Sequence, residues 1–290
     1  MANRDNQWNG TPQWSFAGGV AAGFCAAGFG IGAYYMLHRR HSLSHSVATK
    51  VNGDPRLRSD DANDDALYAS FLSLNCCGVD EQKVADMICA CVIGNDAESI
   101  EKILGLLAKR DKKEALQSII KKTSSIAVGW TAAHLAAGEG NVAILRMLLQ
   151  WGADIEEKRA PHDVSPLWDA AYSGRVSAIE FLCAQGADVN SRCARKSTPL
   201  IAAAQKGKTD AVRTLIRLGA SVDAQASEGS TALFMASRGG HEEAVRVLVQ
   251  EGSANVHLAR ANGTTCLRIA KKHGHFGVVD ILEKSGAVDE

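Results

Sequence analysis

The sequence has no surplus of charge, no paired cysteine spacing and no recognisable catalytic constellation. Its 32 basic and 32 acidic residues cancel to a formal net charge of zero, and charged residues make up 22% of the chain. That balance argues against a nucleic-acid binder or an acidic tail, each of which needs charge of one sign. Of the eight cysteines (Cys25, Cys76, Cys77, Cys89, Cys91, Cys183, Cys193, Cys266), neither Cys76-Cys77 nor Cys89-x-Cys91 reproduces the Cys-x-x-Cys pairs of a zinc site. On a helix Cys89 and Cys91 would point to different faces, so reduced, mostly buried thiols are expected. His162, His241, His273 and His275 have no Ser or Cys nucleophile pattern beside them. Gly138-Glu139-Gly140 lies where a helix ends, whereas a phosphate loop links a strand to a helix start. No cofactor, no metal and no enzyme activity is expected.

What the chain does have is repetition. A capping hydroxyl opens each of five similar segments, at Thr131, Ser165, Thr198, Thr231 and Thr265, so successive starts lie 34, 33, 33 and 34 residues apart. Self-similarity at this period marks a solenoid, in which each unit buries its apolar face only against its neighbours. The Thr or Ser suits a helix N-cap, and Pro166 and Pro199 suit the first helical position, where no N–H is needed. Small residues follow (Ala136 and Ala137, Ala170 and Ala171, Ala203 and Ala204, Ala236), which let helices approach closely. A glycine nine residues after each cap (Gly140, Gly174, Gly207, Gly240, Gly274) can take positive φ and end the first helix. A second helix carries Ile144 with Leu148, Ile179 with Leu182, Val212 with Leu215, Val245 with Leu248 and Val278 with Leu282 at the spacing of one buried stripe. Gly152, Gly186, Gly219, Gly252 and Gly286 are expected to close it. The two 34-residue spacings place one extra residue between Ile155 and Val164 and another between Gly252 and Val256.

These positions resemble the ankyrin-repeat signature of Thr-Pro-Leu-His, Ala-Ala, Gly-His and Gly-Ala-Asp over roughly residues 124–290. The resemblance implies an all-α solenoid of helix-turn-helix units joined by short hairpin-like connectors. Only His134 keeps the signature histidine; Trp168, Ile201, Phe234 and Arg268 replace it, so the family's Thr-His hydrogen bonding is expected to be mostly absent. In the last unit Lys271 stands at the second small position, as suits a terminal unit facing water.

The start of the chain is different. From Ser15 to Leu37 there are 23 residues without a charge, which as a helix would reach roughly 34 Å, enough for a hydrocarbon core of about 30 Å. This reads as one transmembrane helix. A cleaved signal would have a basic lead and an apolar run of about 7–15 residues, a mitochondrial presequence would be Arg-rich, and a buried soluble helix would bear costly glycine. The basic flank from His38 to His41, with Lys50, Arg56 and Arg58 beyond, places the repeats on the cytosolic or equivalent positive side. A mitochondrial or plastid membrane satisfies the same rule. Gly19, Gly23, Ala26, Gly30 and Ala33 advance by four, three, four and three, a small-residue seam suited to packing against another membrane helix.

The organisation expected is therefore a tail over 1–14, a transmembrane helix over 15–37 and a flexible polar tether over 38–65. A helical region over 66–123 holds a degenerate capping repeat, in which Ala90, Gly94, Ile100 and Leu104 echo the pattern with about two residues inserted. The ankyrin-repeat domain occupies 124–290. The resemblance implies partner contacts from turn tips and exposed first-helix positions on a concave face. These are Trp130, Glu139, Pro161, His162, Tyr172, Arg195, Gln205, Lys206, Ser227, Glu228, Arg238, Asn262, Lys272 and His273. Aromatics and arginine favour hot spots, and the basic members favour an acidic partner patch. The function expected is a membrane-anchored, noncatalytic adaptor or tether that binds other proteins. The alternative is a permanent accessory subunit of a multi-subunit membrane complex, for example in an energy-converting organelle. The partners expected are a protein on the concave face, another transmembrane helix, the lipid bilayer, and no nucleic acid.

Overall fold

The computed structural model describes residues 81–109, 113–123 and 129–288. The transmembrane expectation over 15–37 with its seam, the tether over 38–65 and the first part of the 66–123 region lie outside the described residues. Among the described residues no helix is long and apolar enough to cross a membrane.

Thirteen helices follow one another among the described residues: α1 (Glu81–Ile93), α2 (Ala97–Lys109), α3 (Lys113–Lys121), α4 (Ala132–Glu139), α5 (Val142–Gln150), α6 (Pro166–Ser173), α7 (Val176–Ala184), α8 (Pro199–Gln205), α9 (Thr209–Arg217), α10 (Ala232–Gly239), α11 (Glu242–Gln250), α12 (Cys266–His273) and α13 (Phe276–Lys284). From α4 onward they form five hairpins. First helices stack in one layer (α4, α6, α8, α10, α12) and second helices in another (α5, α7, α9, α11, α13), each helix touching the equivalent one in the next unit.

The caps follow the sequence pattern. Thr131, Ser165, Thr198, Thr231 and Thr265 each accept the backbone N–H three residues on, at 3.2–3.5 Å, which satisfies one of the donors a helix start leaves open. The glycine nine residues after each cap lies at φ between 63° and 79°. At Gly140 the left-handed turn lets its own N–H reach Ala137 O and the next N–H reach Ala136 O, so two terminal carbonyls find donors as the chain reverses. The alanine pairs are fully buried between first helices, and the paired apolar residues of the second helices are also sealed from solvent. Lys271, at the same small position in the last unit, is exposed and pairs with Glu283 at 3.1 Å.

Two glycine expectations are corrected. The left-handed residue after α1 is Asn95 (φ 55°), not Gly94. Asn95 and Asp96 return their N–H groups to Val92 O and Cys91 O in the same pattern as Gly140 and Asn141. Asp96 then caps α2 through Ser99 N–H, as Asn141 caps α5 through Ile144 N–H. With Asn95 aligned on Gly140, Ile100 and Ile103 fall on Leu145 and Leu148, and the two inserted residues vanish. The α1–α2 pair stacks on the first hairpin, α1 against α4 and α2 against α5, with α3 packed on both. At the end of α11 the left-handed residue is Ser253 (φ 53°), not Gly252. There Ala254 N–H reaches back six residues to Leu248 O, where Ala153, Ala187, Ala220 and Ala287 reach back five. The extra residue is thus taken up in the helix end itself, which moves the reversal one position past the glycine.

Candidate partner-binding face

Between hairpins the chain projects as a finger. Each closes with one backbone hydrogen bond across its base: Arg159 N–H to Val164 O, Cys193 to Ser197, Ala226 to Ser230 and Arg260 to Thr264, all at 3.0–3.1 Å. The first spans one residue more than the others, which locates the extra residue of that connector at 160–163, where Asp163 turns through φ 51°. Consecutive fingers are tied edge to edge by a bond from Ala194 N–H to His162 O (2.8 Å), from Ser227 N–H to Arg195 O (2.9 Å) and from Ala261 N–H to Glu228 O (3.2 Å). Pro161, His162, Arg195, Ser227, Glu228 and Asn262 are exposed at the tips of this ladder. Because the backbone donors and acceptors are used internally, the tips are held in place before any partner arrives.

The second row comes from first helices. Tyr172, Gln205, Arg238 and Lys272 occupy the seventh position after their caps, and Glu139, Lys206 and His273 the eighth, so one or two side chains per unit line the same face. Each is exposed or half-buried. Units are further linked behind this row, where the residues capping three of the second helices, Arg175, His241 and His275, reach the preceding unit's first helix. Arg175 Nε donates to Gly138 O at 3.0 Å, and Nε2 of His241 and His275 lies 3.1 Å from Gln205 O and Arg238 O. The carbonyls at a helix C-terminus lack intrahelical donors, and these side chains supply them.

The two aromatic members, Trp130 and Tyr172, are half-buried, and each carries a cation on its ring. The Arg159 guanidinium lies 4.0 Å from the Trp130 ring centroid while its fork donates to both carboxylate oxygens of Asp169, at 3.0 and 2.9 Å. Tyr172 stacks on Trp168 with centroids 5.1 Å apart, and Lys206 Nζ lies 4.6 Å from its ring. Arginine and lysine on aromatic faces are attracted to the ring quadrupole and lose side-chain freedom in advance of binding. Trp168 itself joins a buried cluster with Val164, Cys193 and Ala202. The sequence pattern does not single out Arg159 or Asp169. Arg159 and Asp169 are ten residues apart on a finger and a helix, and only the finger's closure brings them together.

Two buried groups titrate abnormally. Asp169 is 2% exposed, and burial pushes its carboxyl up to about 6 while the Arg159 fork pulls in the opposite direction. His134 is wholly buried, and loss of hydration holds its imidazole down to about 4 despite the carbonyl of Val164. Its Nδ1 lies 2.7 Å from Thr131 Oγ1 and its Nε2 3.0 Å from Val164 O, so the neutral ring bridges the cap of one unit to the finger of the next. The thiols of Cys91 and Cys266 are pushed up to about 12, and Cys183 to about 11, by burial, which leaves them protonated and weakly nucleophilic. Among the described residues no group of three or more His, Cys, Asp or Glu is placed to hold a metal ion.

A stack of capped helical hairpins with laddered fingers and a buried Thr-His bridge defines a repeat solenoid. Models of the ankyrin family, described as "Ankyrin repeats (3 copies)", match residues 157–226 and 200–289, and "Ankyrin repeat" matches 128–159. The chain belongs to the ankyrin-repeat family. It is 41% identical over 59 residues to the human "Ankyrin repeat domain-containing protein 29", a match covering 20% of each chain. The ankyrin repeats imply a role in protein–protein interaction.

Proposed function

We propose that this chain is a noncatalytic adaptor that holds a protein partner on the face formed by its fingers and first helices, while residues 15–37 anchor it in a membrane with the repeats on the positive side. The observation that carries the reading is the finger ladder, with Pro161, His162, Arg195, Ser227, Glu228 and Asn262 presented on a continuous hydrogen-bonded edge beside Tyr172, Lys206, Arg238 and Lys272. A surface pre-ordered in this way binds with less ordering cost than loose loops. The membrane part is supported by the 23 uncharged residues and the basic flank that follows them. The buried, protonated thiols provide no activated nucleophile.

Proximity labelling from the C-terminus in the native cell, with the whole chain and with 15–37 deleted, tests both parts. The adaptor reading expects membrane-associated neighbours for the whole chain and their loss on deletion. An unchanged neighbour set removes the anchor, and the absence of enriched protein neighbours removes the adaptor. Stoichiometric co-purification after detergent extraction would instead favour a permanent subunit, held by the seam at Gly19, Gly23, Ala26, Gly30 and Ala33.

A further inference from the structure

Charge is distributed unevenly along the binding face of a chain whose formal charge is zero. In the front, over 129–140 and 159–174, Arg159 stands against Glu139, Asp163 and Asp169. In the rear, over 193–206, 226–240 and 260–274, the acid is Glu228 alone, and Arg260 pairs with it. Against it stand Arg195, Lys196, Lys206, Arg238, Arg268 and Lys272. All six are exposed except Arg238, which is half-buried. Lys271 is turned to Glu283 on α13. The rear half of the face is thus cationic while the front half is slightly acidic.

The cations also have a period. Lys206, Arg238 and Lys272 stand one per unit at the seventh or eighth position after the cap. Neighbouring helices pack at about 8–10 Å. A segment in the extended polyproline II conformation advances about 3.1 Å per residue and returns to the same face every third residue, so one of its turns, about 9 Å, matches one unit. Lys206, already laid on the Tyr172 ring, marks the front end of the row.

We propose that the rear three units bind an extended acidic segment of a protein partner, with carboxylates at every third residue facing Lys206, Arg238 and Lys272 in turn. This rests on the protein-binding reading above and adds the partner's chemistry and spacing. Arg195 and Lys196, on the finger that leads into the third unit, flank the front of the row and draw the same segment in by long-range attraction. The acidic front half disfavours extension of that segment past Tyr172, which fixes where along the stack it lies.

The test is fluorescence anisotropy with the full chain in nonionic detergent. One labelled peptide carries glutamate at every third position among serine and glycine; its isomer has the same composition with the glutamates clustered at one end. The spaced peptide is expected to bind more tightly, and salt to weaken it. Neutralising each of Lys206, Arg238 and Lys272 to alanine costs about threefold, and all three together on the order of 30-fold. Arg238→Lys keeps binding, as does Arg246→Ala on the exposed side of α11, with circular dichroism confirming that each variant is folded. Equal binding of the two isomers, no binding of either, an unaffected triple variant, or an equal loss in Arg246→Ala overturns the proposal. Capture of phosphatidylserine vesicles by the same row in place of the peptide also overturns it. Protein neighbours found by proximity labelling survive these failures, so the adaptor reading is judged separately.

Discussion

The first two of the five described hairpins and the last three fill the same slots with different chemistry. Three residues after the cap, the first unit has His134, buried and bonded across to Val164 O, whereas the third and fourth have Ile201 and Phe234, buried and apolar. At the base of the following finger, the first connector has Arg159 in a fork with buried Asp169, where the next has Cys193 facing Ala202. Arg260 returns at this slot in the last connector, but its partner Glu228 is 70% exposed. The fold therefore tolerates either polar ties or apolar filler at one position, and the choice changes what each end responds to. Polar ties give the front geometric specificity, at a risk, because a buried group that loses its partner has no water to turn to.

That contrast is broken most severely at Asp169. Asp169→Ala strands the Arg159 guanidinium in a nearly dry site and is expected to destabilise the chain by about 3–5 kcal/mol in chemical denaturation. Replacing both, Arg159→Leu with Asp169→Met, should recover most of the loss, because it converts the front slot to the apolar kind already used by Cys193 and Ala202. If the double variant is as unstable as the single one, the front is not interchangeable with the rear.

The second effect concerns acid. His134 is held neutral in the fold, at about 4 against an ordinary value near 6.5, so the unfolded chain binds more protons between those pH values. Its contribution is fully present above about 6.5 and is lost as pH falls towards 4, a change on the order of 3 kcal/mol. Asp169 has the opposite sign. Its folded value, raised to about 6, favours the protonated carboxyl, so its contribution falls as pH rises from about 4 through 6. The two offset each other in the wild type over that window. His134→Ile removes one side, so melting temperature measured between pH 7 and 4 should rise relative to wild type as the medium becomes acidic. At pH 7 the variant loses about 1–3 kcal/mol, since Thr131 and Val164 lose a partner.

The smallest effect belongs to the rear pair. Arg260→Ala breaks the ion pair with exposed Glu228 and a stack on Phe234 at 5.1 Å, and should cost no more than about 1 kcal/mol by thermal melting. A loss as large as that of Asp169→Ala would show that exposure does not separate the two ends.

The hairpin stack was legible because local chemistry dictates it: a hydroxyl cap, a small pair and a left-handed residue recur at set offsets and act within a few residues. Legibility failed where two residues compete for one local role. At α1 an asparagine next to Gly94 takes the left-handed turn, since Asn also tolerates positive φ, and at α11 an extra residue carries the turn past Gly252 to Ser253. The candidate face was legible as a set of positions, because offset from the cap decides which side chains point outward. Its electrostatics were not, since whether Trp130 and Tyr172 are bare or covered by Arg159 and Lys206 depends on which finger closes over which helix.

Photo-crosslinking in the native cell tests the central claim most directly. A benzoylphenylalanine replaces Arg238, on the face of the first helices, in one version and Arg246, on the exposed side of α11, in the other. A protein held by the fingers and first helices predicts a discrete crosslinked product from 238 and none from 246. Products from both positions alike, or from 246 alone, would contradict it.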